Sequence, residues 1–122
     1  MAMSYPAPST LYGGNAKFTM DGREAEGRAF AKAARLLDQL SETPADSCLR
    51  REAVRFNAVL WTMVQAEAAD KRSTLPRALR DKLLALSLYV DRALVTLRTS
   101  REDTPLTTLI AINRDMAGGL LT

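Results

Sequence analysis

Hydrophobic positions in this chain recur at intervals of three and four in four separate stretches, the spacing that lines one face of an α-helix. In the first stretch Phe30, Ala33, Ala34, Leu37 and Leu40 form a narrow stripe. In the second, Leu49, Ala53, Phe56, Leu60 and Val64 define a core face, with Asn57 and Trp61 on its flank. The third, from Pro76 to Arg98, carries two faces: Leu79, Leu83, Leu86, Val90, Leu94 and Leu97 on one, Leu84, Leu88, Asp91 and Val95 on the other. A helix that is apolar on most sides is expected inside a bundle, with neighbours on more than one side. The length of this segment, its lack of glycine and its few β-branched residues favour helix over strand. Arg80, Asp81, Lys82, Asp91 and Arg92 interrupt it too often for a membrane span. The fourth stretch places Leu106, Leu109, Ile110, Asn113, Met116 and Ala117 on one face.

The polar punctuation gives the boundaries. Asp21 with Glu24 reads as a capping box opening the first helix, and Gly27 weakens that helix without ending it. The run breaks at Ser41–Pro44. Thr43 then reads as an N-cap, with Pro44 in the first turn of a second helix reaching Ala69. The polar loop from Asp70 to Thr74 is short enough to force an antiparallel return. Thr104 and Pro105 repeat the cap-plus-proline signal, and Gly118-Gly119 end the last helix. The expected fold is all-α: a small, mostly antiparallel bundle of four helices over residues 21–122. Residues 1–20, with Pro6, Pro8 and Gly13-Gly14, read as a flexible, extended N-terminal arm. Its aromatics, Tyr5, Tyr12 and Phe18, suit either tacking the arm to the bundle or touching a partner.

Composition narrows the chemistry. The chain has 122 residues, 47% of them hydrophobic, which suits one domain with a real core. Histidine is absent and Cys48 is the only cysteine, so neither a histidine-based triad nor a usual zinc or transition-metal site can be assembled. The glutamates form no paired constellation and no glycine loop has the phosphate-cradling pattern. The expectation is a protein that is not an enzyme, with no catalytic residues, no metal and no cofactor. A net charge of +3 permits an acidic partner without requiring one. The basic groups Arg50-Arg51-Arg55 and Lys71-Arg72 with Arg77 and Arg80 are diluted by Glu52, Glu67, Asp70 and Asp81, and read as solvated surface. No aromatic platform is interleaved with them, which disfavours direct RNA binding, and the third helix is too apolar to serve as a DNA reader. The start of the chain has no basic region followed by an apolar run, so no secretory signal is expected; one cysteine does not fix the redox compartment, and the reducing cytoplasm is the expectation.

Polar residues within apolar stretches are the candidates for a specific role. Asp91 should be costly to bury unless paired, and Arg114 on the last helix is the first candidate partner. Asn113 must be bonded if buried, to Asn57 or to backbone at another helix end. Both have a structural reading, setting how helices meet. Trp61 suits either the core or a partly exposed anchor at a protein interface.

Several short signatures occur together in order: Leu60-Trp61-Thr62, Leu75-Pro76 with Leu79-Arg80, Leu86-Ser87-Leu88-Tyr89-Val90-Asp91-Arg92, and Pro105-Leu106 followed by Ile112-Asn113-Arg114-Asp115-Met116. In this combination the chain resembles the flagellar biosynthesis regulator FlaF family, from about Asn57 to Leu120. The resemblance implies a cytoplasmic protein that binds flagellin, supports its export and regulates its synthesis alongside the regulator FlbT, a second candidate partner. It carries over Leu60, Trp61, Val90, Asp91, Arg92, Asn113 and Arg114. Combined with the helical faces, the expected partner-binding residues are Asn57, Leu60, Trp61, Leu84, Leu88, Asp91 and Arg92, with Asn113 and Arg114 as structural polar residues. Two other readings stand beside this one: direct action on flagellin messenger RNA, and an adaptor role centred on FlbT.

Overall fold

The computed structural model describes residues 20–100 and 102–119, with side chains from Glu24 onward. The expected arm, and Leu120 and Leu121 beyond the last helix, lie outside the described residues except for Met20. Among the described residues all regular structure is helical: α1 (Met20–Glu42), α2 (Ser47–Ala69), α3 (Arg77–Thr99) and α4 (Pro105–Ala117).

Each boundary has a local cause. α1 begins at Met20, one residue before the expected cap. At its other end the amide of Thr43 donates back to the carbonyls of Gln39 and Leu40, so Thr43 closes α1 instead of opening α2. Pro44 then occupies a tight turn closed by the Asp46 amide on the Thr43 carbonyl (3.0 Å). The N-cap of α2 is Asp46, whose carboxylate accepts from the Leu49 amide at 2.9 Å. Pro76 precedes α3 in an extended conformation (φ −56°, ψ 145°). Before α4 the Thr104 hydroxyl is turned away from the helix, donating to Glu102 Oε1 at 2.7 Å. Gly118 and Gly119 terminate α4, and Gly119 takes the left-handed conformation (φ 74°) that favours glycine.

The helices form a ring in which α2 lies between α1 and α3, and α4 closes the square, strongly on α1 and lightly on α3. The alternation of direction follows from residue contacts. Arg50 at the start of α2 reaches Leu97 at the end of α3, and Gln65 reaches Ser87. Gly27 near the start of α1 faces the backbone of Ala117 at the end of α4.

The faces of α1 and α4 agree with the hydrophobic pattern. Phe30, Ala33, Ala34, Leu37 and Leu40 are buried, as are Leu106, Leu109, Ile110, Asn113 and Met116. α2 is rotated relative to expectation. Ala53, Val54, Asn57, Leu60, Trp61, Val64 and Ala68 face inward, while Leu49 and Phe56 are half-buried at the edge. Trp61, placed on the flank by the sequence pattern, is the largest fully buried side chain. α3 centres its inner face on Leu83, Ser87, Val90 and Leu94. α3 has neighbours on two sides, α2 closely and α4 lightly, and lies diagonal to α1.

Candidate protein-binding surface

The interior is fixed by a directed chain of side-chain hydrogen bonds. An indole N–H can only donate, so Asn113 must present its carbonyl oxygen to Trp61 Nε1 (3.0 Å). Its amide nitrogen then faces Asn57, and Nδ2 donates to Asn57 Oδ1 at 2.7 Å. Asn57 is thereby oriented in turn, its Nδ2 donating to the carbonyls of Ala53 (2.9 Å) and Ala33 (3.4 Å). One proton direction runs from α2 through α4 back to α2 and α1. Phe30 meets the Trp61 ring edge-on, with centroids 5.7 Å apart. Asn57 and Asn113 are both fully buried, so the expected Asn57–Asn113 bond is present and serves the join between helices.

A second tie was missed from sequence. Arg50, expected on the solvated side, is 8% exposed. Its Nη1 donates to the Leu97 carbonyl (3.1 Å), and Nη2 donates to the Pro44 carbonyl (2.8 Å) and Asp103 Oδ1 (3.0 Å). One guanidinium thus ties the α1–α2 turn, the end of α3 and the α3–α4 connection. The signal was available: Arg50 lies three, four, seven and eleven residues before Ala53, Val54, Asn57 and Trp61, on the inward face of α2.

The expected Asp91–Arg114 pair does not form. Both residues are exposed, so Asp91 keeps its hydration and has no need of a buried counter-ion. Arg50 pairs instead with Asp103 in the α3–α4 connection, at 3.0 Å.

The partner candidates divide by position. Asn57, Leu60 and Trp61 are buried, and a partner could reach them only by opening the bundle. Leu88, Asp91 and Arg92 are exposed and Leu84 is half-buried, all on α3. Among the described residues, Leu88 (51% exposed) and Val95 (46%) are the large apolar side chains open to solvent. Leu84, Leu88, Asp91 and Val95 follow one another at spacings of four, three and four. They make one stripe along the outer side of α3, broken in the middle by a carboxylate. This arrangement offers an apolar, helix-length strip. Among the described residues no group of three or more histidine, cysteine, aspartate or glutamate side chains could hold a metal, and no helix is long and apolar enough to cross a membrane.

The molecule is a small all-helical bundle, internally stapled by an amide–indole chain, with its exposed large apolar side chains, among the described residues, on α3. The chain belongs to the family described as flagellar protein FlaF, which it matches over residues 8–120, and this family is linked to the regulation of flagellar biogenesis. Neither a curated protein nor a solved structure matches the chain.

Proposed function

We propose that this protein holds flagellin before export, in the cytoplasm, by covering an amphipathic terminal helix of flagellin with the outer side of α3. The observation that carries this reading is the stripe in which Leu88 and Val95 are exposed and Leu84 is half-buried on the outer side of α3. Exposed apolar side chains aligned at helical spacing suit the apolar face of a second helix, read out through anchors three and four residues apart. Asp91 interrupts the strip and Arg92 borders it, one charge of each sign within reach of polar groups on such a helix. Regulation of flagellin synthesis then follows from occupancy: flagellin-free and flagellin-bound forms differ in what they leave available to FlbT.

Titration of the purified chain with monomeric flagellin tests the reading, with FlbT and the flagellin message leader titrated in parallel at low and physiological salt. The expected result is flagellin binding that falls by about tenfold or more in Leu88→Asp/Val95→Asp, corresponding to at least ~1.4 kcal/mol. Unchanged flagellin binding by that variant would rule out the α3 location. Tight, steeply salt-dependent binding of the message leader would instead favour direct RNA regulation.

A further inference from the structure

A cleft of about 480 Å³ opens between the first half of α2 and the end of α3. Its rim carries Arg51, Arg55 and Arg98, and its wall includes Val54 and Ala58. Arg50 also borders it, but that guanidinium is engaged inward by Leu97, Pro44 and Asp103. The other three are exposed, and among the described residues none of them meets a carboxylate within ion-pair distance. Arg51 makes only a long contact with Cys48 Sγ, at 3.8 Å. The antiparallel packing of α2 on α3 is what gathers these charges, since Arg98 lies more than forty residues from Arg55 in the chain.

Three uncompensated guanidiniums around one partly apolar depression specify an anionic occupant with a greasy centre. Guanidinium forks match carboxylates with two parallel hydrogen bonds. The apolar wall formed by Val54 and Ala58 gives nothing to a bare phosphate chain, and no aromatic ring lines the cleft for a base to stack on. The chain's own first nineteen residues contain no aspartate or glutamate, so that segment lacks the complementary charge. We propose that the cleft docks an acidic amphipathic helix of another protein, with an apolar side chain seated against Val54 and Ala58 and carboxylates one turn to either side reaching Arg51, Arg55 and Arg98. This docking site is separate from the α3 stripe and does not depend on flagellin being the occupant of that stripe.

The test uses the full chain and a fluorescein-labelled, helix-forming peptide in which one leucine is flanked by glutamates three and four positions away on both sides. Fluorescence anisotropy should report binding that weakens with salt. It should fall by about tenfold in Arg55→Glu/Arg98→Glu, and by as much when the peptide glutamates become glutamine or its leucine becomes serine. Because Arg55 and Arg98 are exposed, the variant should keep the helical circular dichroism of the parent; Arg55→Gln/Arg98→Gln provides a milder second variant with the same expected direction. Leu88→Asp/Val95→Asp should bind this peptide as the parent does, which separates the cleft from the stripe. Equal binding by both arginine variants, equal binding of the glutamine peptide, or displacement of the peptide by oligouridine more readily than by unlabelled peptide would overturn the proposal.

Discussion

Asn113 is the residue on which the interior turns, because it is the only member of the buried chain that both accepts from Trp61 and donates to Asn57. Removing it strands a donor and an acceptor in a site from which water is excluded, and unmet buried groups cost more than a met hydrogen bond contributes. Asn113→Ala should therefore lose about 2–4 kcal/mol, seen as a lower denaturant midpoint with an unchanged slope. A second residue-scale expectation concerns Glu102, whose carboxylate accepts from the Thr104 hydroxyl and the Thr104 amide. The side-chain bond from Thr104 is the chief reason its pKa lies below the ordinary glutamate value, with the Thr104 amide adding to it. A depressed folded-state pKa means the contribution is complete above the unfolded value and is lost as the pH falls through the folded one. Carboxyl carbon NMR titration should place Glu102 below an ordinary glutamate, and Thr104→Val should move it back upward. These two sites differed in how far sequence could reach them. A buried amide on an apolar face announces that it needs a partner, whereas Thr104 looks like any helix cap until its neighbour's carboxylate is in place.

At the scale of the helix, ends and close approaches decide more than interiors. α3 ends against Arg50, a cation placed on the Leu97 carbonyl where the negative end of the helix dipole lies. Arg50→Lys keeps the charge but cannot span three acceptors with a point ammonium, so it should lose about 1–3 kcal/mol. The accompanying sign is faster hydrogen exchange in the last turn of α3 and the turn after α1. Gly27 is the opposite case. A Cβ built there would sit 3.4 Å from the Ala117 carbonyl oxygen, an ordinary van der Waals distance. Gly27→Ala should accordingly gain up to ~1 kcal/mol from helix propensity, read as a raised melting temperature. The same scale explains the rotation of α2. Its sequence offers apolar residues on overlapping faces, and the periodicity reading includes Leu49 and Phe56 while leaving out Val54, which is buried. Burial of the Trp61 ring, with an acceptor supplied from α4, outweighs those smaller differences and draws the 53/57/60/61/64 face inward.

The whole molecule is a ring of helices with one lightly packed edge, between α3 and α4. α4 has 13 residues against 23 in each of the others, so it covers little of α3 and leaves the outer stripe in solvent. Leu88 and Val95 are about half exposed, at 51% and 46%. Leu88→Asp/Val95→Asp should lose ~1–2 kcal/mol in chemical denaturation, from the lower helix propensity of aspartate and repulsion by Asp91 three and four residues away. A larger loss would show that the stripe is covered by the chain itself and is no docking face.

Helix number, order and most boundaries were determined by the sequence alone, because periodicity, prolines and glycines act within a few residues along the chain. The inner faces of α1 and α4 followed for the same reason, each having a single apolar stripe to bury. Only the tertiary structure decided which face of α2 carries Trp61 inward and that Arg50 is an internal tie. It also brought Arg98 beside Arg51 and Arg55. Those outcomes depend on the geometry of neighbours distant in sequence: a helix's own pattern states how much surface it must cover, but not how much its companions are long enough to reach.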